Sequence, residues 1–281
     1  MQLAVVVILH SAFCILHSID MPRYAIALEY DGKDFAGTQT QAPGLRTLHA
    51  ELSDAAAKLE DRPCVVRLSS RLDAGVSALA LIADLLVERT WEPTALGQAL
   101  SSHLPADVVV RRVAPVPDAW FAKIQAKAKT YHYRIARRSV RPVLDRRVWW
   151  VRRLDHPERL HEAARLLCGH HDLSGFACLR RDDSDDQDPF RAIIAADWQS
   201  GSRDGEELHT FRVTGEGFLY KQVRGLVGAM VFLAQGNATI DDFAAAMADG
   251  RGARRLGNIA PPEGLVLMET RFDPEPAWTW L

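Results

Sequence analysis

Short stretches of alternating apolar and polar residues recur along this chain, with helical stretches between them but no regular strand-helix-strand order. No other feature limits the fold as much. From Arg23, Tyr24, Ile26, Leu28 and Tyr30 alternate with Ala25, Ala27 and Glu29 before Asp31-Gly32, which predicts a half-buried strand ending in a turn. Val65 to Leu68, Ala78 to Val87, Val108 to Val113, Tyr131 to Ile135, Val148 to Val151, Ile193 to Trp198, His209 to Val213 and Gly264 to Phe272 predict further strands. Thr47 can cap a helix with Leu48, Leu52, Ala56 and Leu59 inward, and Pro93 suits the first turn of another. Leu160 to Leu167 and Phe218 to Leu233 carry helical patterns, and Thr239 with Asp242 forms a capping box for a last short helix. The expected class is α+β rather than doubly wound.

With 281 residues, 48% of them hydrophobic, the chain can bury a substantial core. At roughly 100–200 residues per domain it is two domains or one large one. Ala114-Pro115-Val116-Pro117-Asp118 is the best linker candidate, because its two prolines resist helix and central strand alike. It separates an N-terminal half, residues 21–118, from a C-terminal half, residues 119–281. Residues 1–20 carry a short apolar run without the basic flank of a signal peptide or the roughly 20 apolar residues of a membrane span. Translation is expected to start at Met21, leaving residues 1–20 as a non-native extension or a disordered tail. Cys14, Cys64, Cys168 and Cys178 stand far apart, so neither a thiolate metal site nor a disulfide framework is indicated, and a reducing cytosol is the natural setting.

The net charge of -2 gives no reason to expect a polyanionic partner, but the distribution does. Between Lys127 and Arg153 stand ten basic residues, Lys129 and Arg134 among them, with Tyr131, Tyr133, Trp149 and Trp150 interleaved and only Asp145 opposed. Such a run suits phosphate neutralisation with base stacking, and equally a solvated sheet edge guarded by charge. Asp182, Asp183, Asp185, Asp186 and Asp188 form an acidic run that reads as a solvated loop. Asp73 lies in a polar turn, Ser69 to Gly75, where a structural turn is the ordinary reading. Arg224 sits in an otherwise apolar helix beside Gly225 and Gly228; it either snorkels to solvent or takes a partner, and a carboxylate from the other half is the economical candidate. The ten histidines form no metal-binding spacing, and no nucleotide-binding or acyl-transfer motif is present, so no metal or organic cofactor is indicated.

In order along the chain, these segments resemble the TruA family of tRNA pseudouridine synthases. Tyr30-Asp31-Gly32 with Phe35, Gly37, Gln39 and Gln41 is similar to Y-D-G-x-x-F-x-G-W-Q-x-Q, with Thr38 in place of Trp. Arg71 to Ala78 resembles the catalytic G-R-T-D-A-G-V-H-A motif, Ser70, Leu72 and Ser77 departing from it. Lys129, Tyr131 and Tyr133 resemble R-x-Y-x-Y, Gly169 to Phe176 resembles G-x-H-D-F-x-x-F, and Gly217 to Arg224 resembles G-F-L-x-x-M-V-R with Gln222 for Met. Ala260 to Leu265 matches A-P-x-x-G-L.

The resemblance implies isomerisation of uridine to pseudouridine in tRNA, in the anticodon stem-loop at about positions 38 to 40 of the tRNA, with the target base taken out of its stack. By this likeness Asp73 is the essential carboxylate, acting at the ribose C1′ as a nucleophile or removing the 2′ proton to give a glycal. Tyr131 would pack against the uracil and take part in removing the C5 proton, and Arg224 would pair with Asp73. Leu265 and Leu267 would form an apolar wall, Arg71 would hold the flipped nucleotide, and Lys129 and Arg134 would contact the RNA. Also implied are two similar halves with side-by-side, mainly antiparallel sheets across a basic cleft, a cytoplasmic homodimer, and no metal or organic cofactor. A divergent RNA-binding protein with little catalysis is the second expectation, and a metal-dependent hydrolase using the acidic loop a third.

Overall fold

Tyr24, Ile26 and Leu28 face one side of strand β1 (Arg23–Tyr30) and Ala25 and Ala27 the other, and both sides are buried. The strand is therefore not half-exposed as its alternation suggests. The two alanines leave room for Ile82, Trp120 and Phe272 to cover the second face. The computed structural model describes residues 21–40, 44–179, 188–203, 205–252 and 255–281. The expectations for residues 1–20 and for Asp182 to Asp186 lie outside the described residues.

β2 (Val65–Leu68), β3 (Ser77–Leu86) and β4 (Val108–Val116) pair with β1 or with each other, all antiparallel. β5 (Ala126–Arg137), β7 (Gly169–Asp172), β8 (Phe190–Arg203), β9 (Glu206–Gly215) and β10 (Leu265–Phe272) continue the same sheet, with β6 (Trp149–Val151) parallel to the end of β5. β11 (Thr279–Trp280) returns to the outer edge of β4. The order is β11-β4-β1-β3-β10-β5-β9-β8-β7, one mostly antiparallel sheet of mixed α+β architecture. Its two sides meet at a short parallel contact, Ser77 opposite Val266 and Ala78 opposite Leu267.

The five longer helices cover one face. α1 (Leu48–Glu60) begins at Thr47, whose hydroxyl accepts the Ala50 N–H, and α2 (Pro93–His103) packs beside it on β4. α3 (Ala122–Gln125) is a single turn before β5. α4 (Glu158–Arg165), α5 (Gln222–Ala234) and α6 (Ile240–Asp249) cluster over the other side, α6 opening with the Thr239/Asp242 capping box read from the sequence. α5 is buried except at Arg224 and Phe232. It starts at Gln222 rather than Phe218, because Lys221 takes a left-handed conformation, φ 59°, that ends the preceding turn. A Cβ on Gly225 would lie 1.7 Å from the Phe176 carbonyl oxygen, so only glycine permits this helix to sit so close.

The linker reading of 114–118 needs correction. β4 runs on to Val116, and Pro115 lies beyond the two residues that β11 covers, a setting in which a strand tolerates proline. Asp118 is held by Arg23, which donates to its carbonyl at 2.7 Å and its carboxylate at 3.2 Å. Among the described residues no helix is long and apolar enough to cross a membrane.

Candidate active site

The loop between β2 and β3 carries Asp73, and two segments from far along the chain close upon it. The Asp73 carbonyl accepts the Val76 N–H at 3.2 Å, a tight turn in which Gly75 adopts φ +80° with Pro262 packed against it. Arg224, in the first turn of α5, donates from Nη1 to Asp73 Oδ2 at 2.6 Å and from Nε to the Ala260 carbonyl at 2.7 Å. Its backbone carbonyl accepts the Ala260 N–H in return. The side chains of Arg224 and Asp73 are 12% and 19% exposed, so the pair is largely desolvated yet open on one side. The sequence asks a partner of Arg224, and the fold supplies this carboxylate.

The open side is a recess of about 70 Å³ lined by Asp73, Val76, Tyr131, Phe218, Gln222 and Leu265 among others. Tyr131 projects from β5 and meets Phe218 edge-on, ring centres 5.2 Å apart. Burial, with the nearby Asp73 charge adding to it, pushes the Tyr131 phenol above its ordinary range, so it is neutral at physiological pH. Tyr30 lies below, its hydroxyl buried without a hydrogen-bond partner among the described residues and its pKa raised by burial and by Tyr131 and Asp73. Leu265 reaches the recess, whereas Leu267 is fully buried in the sheet, opposite Tyr131 on β5 and Ala78 on β3.

Arg71, Tyr131, Phe218, Leu219 and Tyr220 also line a much larger cleft, about 1010 Å³, that opens beside the recess. Among the described residues its lining includes Arg67, Arg71, Lys123 and Lys129 from β2 to β5, and Arg191, Arg251 and Arg255 from β8 and the segment after α6. Asp188 and Glu216 are its acidic members. Lys129 donates from Nζ to the Ser69 carbonyl at 3.1 Å, and burial, helped by Lys123, lowers its pKa to about 8.

Of the run from Lys127 to Arg153, Lys129 is the one basic residue that lines this cleft among the described residues. Arg134 donates to Asp145 at 2.8 Å, Arg137 to Glu207 at 2.6 Å, and Arg138 to Glu206. Tyr133 is fully buried with its hydroxyl on the Pro261 carbonyl, and Trp149 packs edge-on against it. Arg134 thus stands apart from the group formed by Asp73, Tyr131, Arg224, Arg71, Leu265 and Lys129. Phe218, Tyr220 and the far-wall cations were not singled out from the sequence; Phe218 and Tyr220 belong to the glycine-flanked segment before Arg224, but no local pattern marks Arg191, Arg251 or Arg255. No group of three or more His, Cys, Asp or Glu side chains among the described residues is arranged to hold a metal ion.

Comparison with known proteins bears on this geometry. Residues 163–273 match a family model described as tRNA pseudouridine synthase. The chain is 36% identical over 257 residues to tRNA pseudouridine synthase A of Sinorhizobium fredii, covering 90% of this chain and 100% of the relative. It is 32% identical over 256 residues to the protein of that name from Bartonella henselae, covering 90% and 100%. With the one from Rhodospirillum rubrum it shares 35% identity over 260 residues, covering 92% and 90%. Identity of 32–36% over nine-tenths of the chain makes it a member of the tRNA pseudouridine synthase A family.

Proposed function

We propose that the protein converts uridine to pseudouridine in tRNA, within the anticodon stem-loop, with Asp73 as the reacting carboxylate. The observation that carries this reading is the Asp73–Arg224 pair at 2.6 Å, open to a recess walled by Tyr131, Phe218 and Leu265. A carboxylate at that point can serve either of two routes. As a nucleophile its oxygen attacks C1′, the C1′–N1 bond breaks, and its electrons leave with the uracil; after the base turns, C5 attacks C1′ and the carboxylate departs. As a base it takes the 2′ proton while uracil leaves, and returns that proton once C5 has bonded to C1′. In both, C5 loses a proton and N1 gains one, so the product is an isomer of the substrate.

Arg224 fixes the carboxylate against a second anchor, the Ala260 carbonyl. Tyr131 acts first as an apolar wall, because its phenol is neutral and Asp73 opposes its ionisation. In both routes the C5 proton is lost only after C5 has bonded to C1′, and Tyr131, which lines the recess, takes part in its removal. Leu265 and Phe218 keep water from the detached base, whose capture by water would give hydrolysis instead. Arg71, at the junction of recess and cleft, holds the flipped nucleotide, and the cations of the cleft neutralise the adjoining phosphates.

Two halves, 21–118 and 119–281, form part of the same proposal, supported by a helix pair over the β1–β4 side and a helix cluster over the β5–β10 side. So do a homodimer, tested by light scattering, and a cytoplasmic setting, supported by widely spaced cysteines. The test of the activity is tritium release from tRNA transcripts labelled at uridine C5, followed by mapping of the modified site. Release by the wild type and none by Asp73→Asn is expected. Tritium release by Asp73→Asn at the wild-type rate would remove Asp73 from the reaction, and modification mapped outside the anticodon stem-loop would remove the target.

A further inference from the structure

Several of the residues by which this chain departs from the family's motifs lie in or beside the Asp73 loop, and two of them are buried hydroxyls bonded to it. Thr38, where the motif has Trp, is 1% exposed, and its Oγ1 accepts the Leu72 N–H at 2.9 Å and donates to the Ser70 carbonyl at 3.3 Å. Its backbone N–H donates to the Leu72 carbonyl at 3.1 Å, and its carbonyl accepts the N–H of His49, in the first turn of α1. Ser77, where the motif has His, is 4% exposed, and its Oγ accepts the Gly32 N–H at 3.0 Å. Asp73 lies between these attachments, the first fixed to the segment before α1 and the second to the turn after β1. Leu72, a further departure in the same loop, is buried in the core between them.

We propose that Thr38 and Ser77 are positioning residues that fix the two ends of the Asp73 loop and so set the carboxylate against Arg224. This rests on the reading of Asp73 as the reacting group. The argument is geometric. The turn bond from Asp73 to Val76 shapes the loop's tip but does not hold its ends, and Thr38 meets a backbone group on each side of Arg71 with one hydroxyl. Displacement of a reacting group by about 1 Å can cost on the order of a hundredfold in rate. Without the hydroxyls the backbone bonds from the Thr38 N–H to the Leu72 carbonyl and from the Gly75 N–H to the Phe35 carbonyl remain, so the loop stays folded but is held by fewer contacts and admits such displacements.

Thr38→Val keeps the branched shape and removes the hydroxyl, Thr38→Ser keeps the hydroxyl, and Ser77→Ala removes the other attachment. The measurements are the single-turnover rate of tritium release at saturating tRNA, the tRNA dissociation constant, and circular dichroism to confirm folding. The expected result for Thr38→Val and Ser77→Ala is a rate lowered about 10–100-fold with affinity changed less than about twofold, and for Thr38→Ser a rate within about threefold of wild type. Asp73→Asn, run alongside, separates the two claims. If it is inactive while folded Thr38→Val and Ser77→Ala both react at the wild-type rate, the positioning role is overturned and the assignment of Asp73 stands. If Asp73→Asn is itself active, that assignment fails first. Should Thr38→Val not fold, Ser77→Ala and Thr38→Ser decide between the same outcomes.

Discussion

Among the aspartates that face arginines, the fold treats Asp84 and Asp73 in opposite ways. Asp84, on β3, has no exposed side-chain surface and receives Arg23 at 2.9 Å, Arg67 at 3.0 Å and the Ala122 N–H at 3.0 Å. Three acceptor positions of this one carboxylate join β1, β2 and α3. Asp73 receives Arg224 on one oxygen, and its remaining surface turns toward a recess. A charge saturated by the fold holds structure together; a charge held from one side is left with somewhere to react. Cations divide in the same way. Arg134, Arg137 and Arg138 are matched by Asp145, Glu207 and Glu206, whereas Lys123, Lys129 and Arg251 line the large cleft. Density of charge along the sequence is therefore a poor guide to where a polyanion can bind.

Exchanging the two aspartates for asparagine is the most severe test of that contrast. Asp73→Asn should lose at least about a thousandfold in tritium release while its urea unfolding curve stays near that of wild type. Asp84→Asn should do the reverse, losing about 3 kcal/mol of stability because the buried Arg23 guanidinium is left short of a counter-charge, with activity per folded molecule retained. If both variants lost activity and stability together, the distinction between spent and open carboxylates would collapse.

The cations give a smaller effect. Lys123→Ala with Arg251→Ala should weaken tRNA binding about tenfold and reduce the salt slope of binding by about two. Arg137→Ala with Arg138→Ala should change affinity less than about threefold under the same filter-binding conditions. Equal losses would return the basic run to the RNA surface.

The smallest expected effect is a pH step at Lys129. Its folded pKa, about 8, lies below the ordinary value of 10.5, so the ammonium is disfavoured by the fold. RNA affinity should weaken as pH rises through about 8, and Lys129→Arg should flatten that step. Stability moves oppositely. Between about pH 8 and 10.5 the unfolded chain binds the proton that the folded one has released, so this group's contribution to stability rises with pH.

Legibility in the sequence followed the range of the interactions. β1, the Thr47 cap of α1 and the Thr239/Asp242 box are set by neighbours within a few residues, and the pattern locates them. The continuation of β4 through Pro115 depends on which edge β11 leaves open, and the pairing of Arg137 and Arg138 depends on β9, so neither is local. Asp84 passed as one polar residue in an apolar stretch, because its partners lie 61, 17 and 38 positions away. Arg224 was more readable: a guanidinium in an apolar helix advertises a missing carboxylate, and the family likeness pointed to Asp73. The cleft's far wall carried no such advertisement.

β11 also bears on how the chain is made. Thr279 and Trp280 pair with Val113 and Arg112, and the Arg112 guanidinium sits 4.8 Å from the Trp278 ring centre and 4.7 Å from that of Trp280. On a ribosome β4 emerges long before these partners, so its outer edge and the Arg112 side chain wait uncovered while every later strand is synthesised. The half that carries Asp73 is thus finished by residues that follow all the intervening strands, and a nascent chain stalled before them presents an open strand edge to other chains and to chaperones.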